Sequence, residues 1–156
     1  MPDYKIDYIG NQQQFIEEIA LLWAKEWIPE ANEADVEKKI FKFKNRVSTE
    51  GPPFVLVAYK DNILIGSAGL SDHDLAKRPD LSPWLVGVLV KPEYRKKGIA
   101  SALVGSVVDK AKELGFKHLY LHTEEAQGLY EKLGWTFMEH TTNDQEQESD
   151  IYFLDL

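Results

Sequence analysis

Between an apolar run, Leu85 to Val90, and a long helical pattern beginning at Ile99 lies the segment Lys91-Pro-Glu-Tyr-Arg95-Lys96-Lys97-Gly98. Four cations stand there against one acid, Glu93, in a chain whose formal net charge is -8. So local a reversal of sign marks the turn as a place for an anion. The first turn of a helix presents backbone N–H groups that have no partner within the helix, and the helix dipole adds positive potential at the same point. Gly98 and the small Ala100 let a phosphate or diphosphate come close to those amides. A solvated basic loop ahead of an ordinary helix carries the same charge, so the neighbouring sequence has to separate the two readings. Two familiar phosphate patterns do not fit. The dinucleotide fingerprint needs three glycines where Gly98-Ile-Ala100-Ser-Ala-Leu103 has one, and no Walker-type pattern is present.

Arg95-Lys-Lys-Gly98-Ile-Ala100 resembles the acyl-coenzyme A pyrophosphate loop of the GNAT superfamily of N-acetyltransferases: Arg or Gln, two residues, Gly, one residue, then Gly or Ala. Downstream, Ala126-Gln-Gly-Leu129-Tyr130-Glu-Lys132-Leu-Gly134-Trp135 resembles the late helix of that family and the strand after it. The strand-like Lys117 to Thr123 lies between them, so the resemblance spans residues 85 to 141. It implies an α/β GNAT acyltransferase fold, with a mixed, mostly antiparallel, splayed sheet flanked by helices. It also implies acetyl-coenzyme A as co-substrate, with no metal. By the same resemblance, Arg95, Lys96, Lys97, Gly98, Ile99, Ala100, Ser101, Thr123, Ala126, Leu129 and Lys132 contact the coenzyme. The backbone of Leu89 and Val90 holds its pantetheine arm, and Tyr130 protonates the departing thiolate. Thr123 stands where family members often have Asn; its hydroxyl makes one hydrogen bond but loses the paired donor and acceptor of an amide.

Asp72, His73 and Asp74 follow the expected third strand, and Trp84 follows Pro83 at the mouth of the central one. All four are expected to face the acceptor. Paired carboxylates attract a cationic amine, and the imidazole of His73 is the residue type that suits a base. His122 ends a strand beside Thr123 and faces either the core or the site; His118 and His140 read as surface residues. The expected activity is acetyl transfer to a primary amine, by direct attack in a ternary complex, on a small cationic amine or a peptide N-terminus. Two other classes stay open: a non-catalytic acyl-coenzyme A sensor or interaction module, and a domain whose basic turn takes another phosphate ligand or an acidic partner.

The elements that must position these residues follow from periodicity. With 156 residues, 44% hydrophobic and 28% charged, the chain suits one domain over 1–156 with a sizeable core. It has no cysteine, which excludes disulfides, a thiolate nucleophile and zinc-thiolate sites. No apolar stretch approaches the roughly 18 residues of a membrane span, and no signal segment is visible, so a cytoplasmic protein with no membrane partner is expected. A pI near 5.0 argues against nucleic acid as a partner. Strands are expected at Tyr4 to Ile9, Phe54 to Tyr59, Ile63 to Leu70, Trp84 to Val90, Lys117 to Thr123, Thr136 to Thr141 and Ile151 to Leu156. Helices are expected from Phe15 to before Pro29, from Glu33 to Val47, and from Ile99 to Leu114, the last packing Leu103, Val107, Ala111 and Leu114 inward and closing at Gly115. The aromatic residues of the first helix read as core. Lys38, Lys39, Lys42, Lys44 and Arg46 of the second read as a solvated face. Trp27 and the final strand offer surface that a homodimer could cover.

Overall fold

The computed structural model describes residues 3–45, 49 and 51–156. Seven strands form one sheet: β1 (Lys5–Tyr8), β2 (Phe54–Lys60), β3 (Ile63–Ser71), β4 (Trp84–Val90), β5 (His118–Thr123), β6 (Thr136–Thr142) and β7 (Glu148–Asp155). Their order is β1-β2-β3-β4-β5-β7-β6. Four helices flank it: α1 (Ile16–Trp27), α2 (Glu33–Lys44), α3 (Ile99–Glu113) and the short α4 (Gln127–Lys132). Every strand pair is antiparallel except β4–β5. The mixed, mostly antiparallel architecture expected from the sequence is the one observed. The expected run of α2 to Val47, with Arg46, lies outside the described residues.

Alternation along β2 divides the core between two faces. Phe54, Leu56 and Ala58 pack with Leu103, Val107 and Ala111 of α3, while Val55 and Val57 meet Ile19 and Trp23 of α1 and Phe43 of α2. Helix α2 begins at a reciprocal cap: the Asn32 side chain accepts from the Asp35 amide and the Asp35 carboxylate accepts from the Asn32 amide. Helix α3 ends as expected at Gly115, where φ is 86°, with Phe116 N–H reaching back to the Ala111 carbonyl. Leu114 is a correction. It caps the helix, is 42% exposed and does not pack inward. The last hairpin is tighter than expected, because β7 starts at Glu148 and takes up part of the anticipated loop.

Two irregularities open the sheet. Strands β4 and β5 pair in parallel register at Trp84 and Tyr120, with Tyr120 N–H bonded to the Pro83 carbonyl at 3.0 Å, and that single register is all of their pairing. On its other edge, β4 pairs Leu89 with Ser67 and Val86 with Gly69, so two steps along β3 answer three along β4. The extra residue is a bulge at Gly87 and Val88. Gly87 has φ of 62°, and a Cβ built there would lie 1.9 Å from the Trp23 indole. The Ser67 hydroxyl ties this corner together, donating to the Gly87 carbonyl at 2.7 Å and accepting from the Trp23 indole N–H at 2.9 Å.

Gly87→Ala must both strain the backbone and displace a buried ring. It is expected to lower unfolding free energy by roughly 2–4 kcal/mol, read as a reduced urea midpoint with an unchanged slope.

Candidate functional site

The opening beside the bulge is a cleft of about 1110 Å³. Its floor is β4 from Leu85 to Val88, and Trp23, Trp27 and Ile28 at the end of α1 form one wall with Lys39 and Lys42 of α2. The opposite wall is acidic: Asp74, Glu124, Glu125, Asp144 and Glu148, together with His73 and His122. Arg95, Thr123, Ala126 and Tyr130 also line it.

The basic turn folds as a short 3-10 turn, Pro92–Tyr94, and then two left-handed residues, Lys96 at φ 63° and Gly98 at φ 79°. Gly98 precedes α3, and no side chain caps the helix. Ala102 N–H makes a hydrogen bond back to the Gly98 carbonyl at 3.1 Å, so the amides of Ile99, Ala100 and Ser101 precede it in the uncapped turn. The Ile99 side chain is buried in the core and fixes that turn, leaving its backbone for an anion. Arg95, Lys96 and Lys97 are exposed, and the Lys97 ammonium sits 5.8 Å from the Tyr94 ring centroid. Lys91 differs from the other three cations: it pairs with Glu18 of α1 at 2.6 Å. The Arg95 Nε donates to the Val90 carbonyl at 2.9 Å, which ties the turn to the end of β4.

The remaining expected site residues take these places. Leu89 packs its side chain against the α1 side and Val90 against the α3 side, and Leu85 to Val88 of β4 line the cleft. Trp84 is 0% exposed, packs with Leu75, Leu81 and Ile151, and donates its indole N–H to the Leu81 carbonyl at 2.8 Å. It supports the strand mouth from inside and does not face the acceptor side. Thr123 lends its hydroxyl to the Ala126 amide at 2.9 Å and so sets the entry to α4. Leu129 packs on the core cluster, and Lys132 is exposed. Lys39 and Lys42 belong to the cleft as well as to the helix surface, and Trp23 is both core and cleft wall.

Tyr130 is 5% exposed and stacks edge-on against Trp135 at 6.0 Å. Burial pushes its phenol up to about 12. Its hydroxyl has no hydrogen-bond partner among the described residues, yet no fully buried side-chain polar atom is left unpaired, so the oxygen reaches the cleft surface. A phenol in that position is a proton donor at neutral pH.

Asp72 and His73 are exposed, whereas Asp74 is half-buried and engaged. His122 Nε2 lies 3.0 Å from Asp74 Oδ2, while its Nδ1 lies 3.1 Å from Ser149 Oγ and 3.3 Å from Glu124 Oε2. Burial would depress the imidazole, but hydrogen bonds to Asp74 and then Glu124 outweigh it and lift the value to about 9. Glu124 accepts further bonds from Ser149 and from the Asn143 amide, both at 3.0 Å. The His122 hydrogen bond holds its carboxyl below the ordinary value against the opposing effect of burial. Sequence reasoning left His122 undecided and missed Glu124. The alternation of β5 carried the signal, since buried Leu119 and Leu121 put His122 on the opposite face.

A family model described as the acetyltransferase (GNAT) family matches residues 16–135. Among curated proteins, none matches significantly. Solved structures match over nearly the whole chain. An N-acetyltransferase from Staphylococcus aureus Mu50 has a TM-score of 0.77 at 16% identity, covering 99% of both chains. The aminoglycoside 6'-N-acetyltransferase from Enterococcus faecium has a TM-score of 0.73 at 16% identity, covering 97% of this chain and 96% of its own. A GNAT family acetyltransferase from Elizabethkingia anophelis with acetyl-CoA bound reaches 0.69 at 16%, covering 100% of each. At such identities the likeness is one of fold. No helix among the described residues is long and apolar enough to cross a membrane.

The raised His122 value fixes a pH dependence. Because the folded value of about 9 exceeds the ordinary 6.5, the stabilisation is full below pH 6.5 and is lost as pH rises through 9. The stability advantage of wild type over His122→Gln should therefore shrink by on the order of 3 kcal/mol across that interval, measured by urea unfolding at matched pH.

Proposed function

Since the chain belongs to the GNAT acetyltransferase family, we propose that it transfers an acetyl group from acetyl-coenzyme A to a cationic primary amine, by direct attack within a ternary complex. The observation that carries this reading is a single cleft that joins Arg95 and the Tyr130 hydroxyl to an acidic wall. When bound, acetyl-coenzyme A supplies an activated thioester. The residues present suit it: an uncapped helix start behind Gly98 for the diphosphate, flanked by Arg95, Lys96 and Lys97, and the half-buried, cleft-lining bulge of β4 for an extended arm.

Asp74 and its acidic neighbours draw the acceptor's ammonium into the cleft and hold it there. The acceptor's ammonium first gives one proton to solvent; its neutral nitrogen then forms a bond to the acyl carbon as the carbon–sulfur bond breaks, and the new amide nitrogen releases its remaining excess proton to solvent. Tyr130 donates its hydroxyl proton to the departing sulfur, and the buried, high-lying phenol recovers it from solvent. His122 does not act as the base at neutral pH, because it is already protonated and both ring N–H groups are committed. The acidic wall favours a small polyamine or amino sugar over a peptide whose N-terminal residues are acidic. The aminoglycoside enzyme from Enterococcus faecium shows that the same fold serves a polycationic acceptor.

Thiol release from acetyl-coenzyme A across aminoglycosides, polyamines, amino acids and short peptides tests the reading. Turnover with a polycationic class is expected. Tight coenzyme binding with no release would favour the sensor module instead. Tyr130→Phe should lower kcat by about 10²–10³-fold with little change in the KM for acetyl-coenzyme A, and unchanged kcat would remove Tyr130 from the chemistry. Gly98→Val, which forces a β-branched residue to φ 79°, should weaken coenzyme binding by at least about tenfold in calorimetry.

A further inference from the structure

Among the acids around His122, Glu124 and Asp74 differ in how much of each carboxylate the protein already uses. Glu124 is spent: one oxygen accepts from Asn143, and the other lies against Ser149 and His122. Among the described residues Asp74 has one partner, the His122 Nε2 at 3.0 Å on Oδ2, and its side chain is 30% exposed at the cleft. Asp74 sits on the loop between β3 and β4, not on a strand, so nothing in a ladder fixes its direction. His122 is fixed. It is carried on β5, its side chain is only 16% exposed, its ring packs edge-on to Trp84 at 6.2 Å, and Nδ1 is held by Ser149 of β7 and by Glu124.

Resting on the reading of the cleft as an amine site, we propose that His122 is the positioning residue of the acceptor wall. It turns Asp74 so that Oδ1 faces the cleft and takes the acceptor's ammonium. The charge arithmetic supports this division of labour. Two carboxylates, Asp74 and Glu124, flank one imidazolium, and among the described residues no other charged side chain bonds to His122, so the trio keeps one negative charge. The free acceptor oxygen of that trio is on Asp74, because both oxygens of Glu124 already take donors.

The two ring nitrogens provide the test, since each can be imitated alone. His122→Gln keeps a donor near the Nε2 position, towards Asp74, and His122→Asn keeps one near Nδ1, towards Glu124 and Ser149. Acceptor KM and kcat are measured by thiol release with the best amine of the panel, and coenzyme affinity by calorimetry. His122→Asn should raise acceptor KM by about 10–100-fold with kcat within a few-fold of wild type, while His122→Gln restores most of the loss. Both should bind coenzyme as wild type does, which also reports that each is folded. Equal acceptor KM for the two variants, or a loss of coenzyme binding in step with acceptor KM, would overturn the positioning role alone. Absence of turnover by the wild type with every amine would overturn the underlying reading as well.

Discussion

The corner where Trp23, Ser67 and Gly87 meet decides the shape of everything around it. One hydroxyl receives the indole N–H and donates to the bulge carbonyl, at 2.9 and 2.7 Å. Two such bonds contribute only about 1 kcal/mol each, far less than the burial of an indole at roughly 25 cal/mol per Å². Burial holds the ring; the bonds choose its direction. That direction requires the absence of a side chain at Gly87, and the left-handed residue there gives β4 its extra step. Without the bulge, β4 would continue a regular ladder beside β3, and the cleft floor from Leu85 to Val88 would lose the turned-out backbone that an extended ligand can use.

The cleft is electrically two-sided in a chain that is acidic throughout. Cations reach it from the basic turn, where the start of α3 adds backbone positive potential, and from Lys39 and Lys42 of α2 beside Glu26 of α1, while the far wall gathers carboxylates from three separate segments. Partial burial of Asp74 and Glu124 sharpens the acidic end, while Arg95, Lys96 and Lys97 stand exposed. Screening is weaker in a recess than on an open surface, so the acidic end keeps more of its field than the basic one. Tyr130 lies where neither end dominates, and its raised value comes from burial alone.

Much of this was legible beforehand. Trp84 to Val90 was bounded correctly because an unbroken apolar run between Pro83 and a basic turn has few other readings. The α3 start was legible for the same reason, since glycine and small residues after charge announce a helix N-terminus. The acidic wall was only half legible. Asp74 was singled out with its neighbours in sequence, but its partner His122 lies on β5, and the Glu124, Asn143 and Ser149 network that holds His122 comes together only through the pairing of β5 with β7 and the last hairpin. Trp84 misled because a position at the mouth of a strand says nothing about which way an indole turns; the Leu81 carbonyl settled it by satisfying the ring nitrogen inside. The bulge at Gly87 and Val88 was not legible, because periodicity does not encode an extra residue in a strand.

The loop between β3 and β4 is bound to the last hairpin through its middle residues, 76–78. Arg78 pairs with Glu139, Lys77 donates to Thr142, and the Ala76 amide bonds to Asp144 at 3.2 Å. The two segments that shape the acidic wall are thus one mechanical unit assembled from distant stretches of chain. Exchanging residues 72–83 alone would leave Glu139, Thr142 and Asp144 facing the wrong partners. Change at this wall calls for paired exchange of loop and hairpin, while the basic turn and the start of α3, which share none of these ties, can stay as they are.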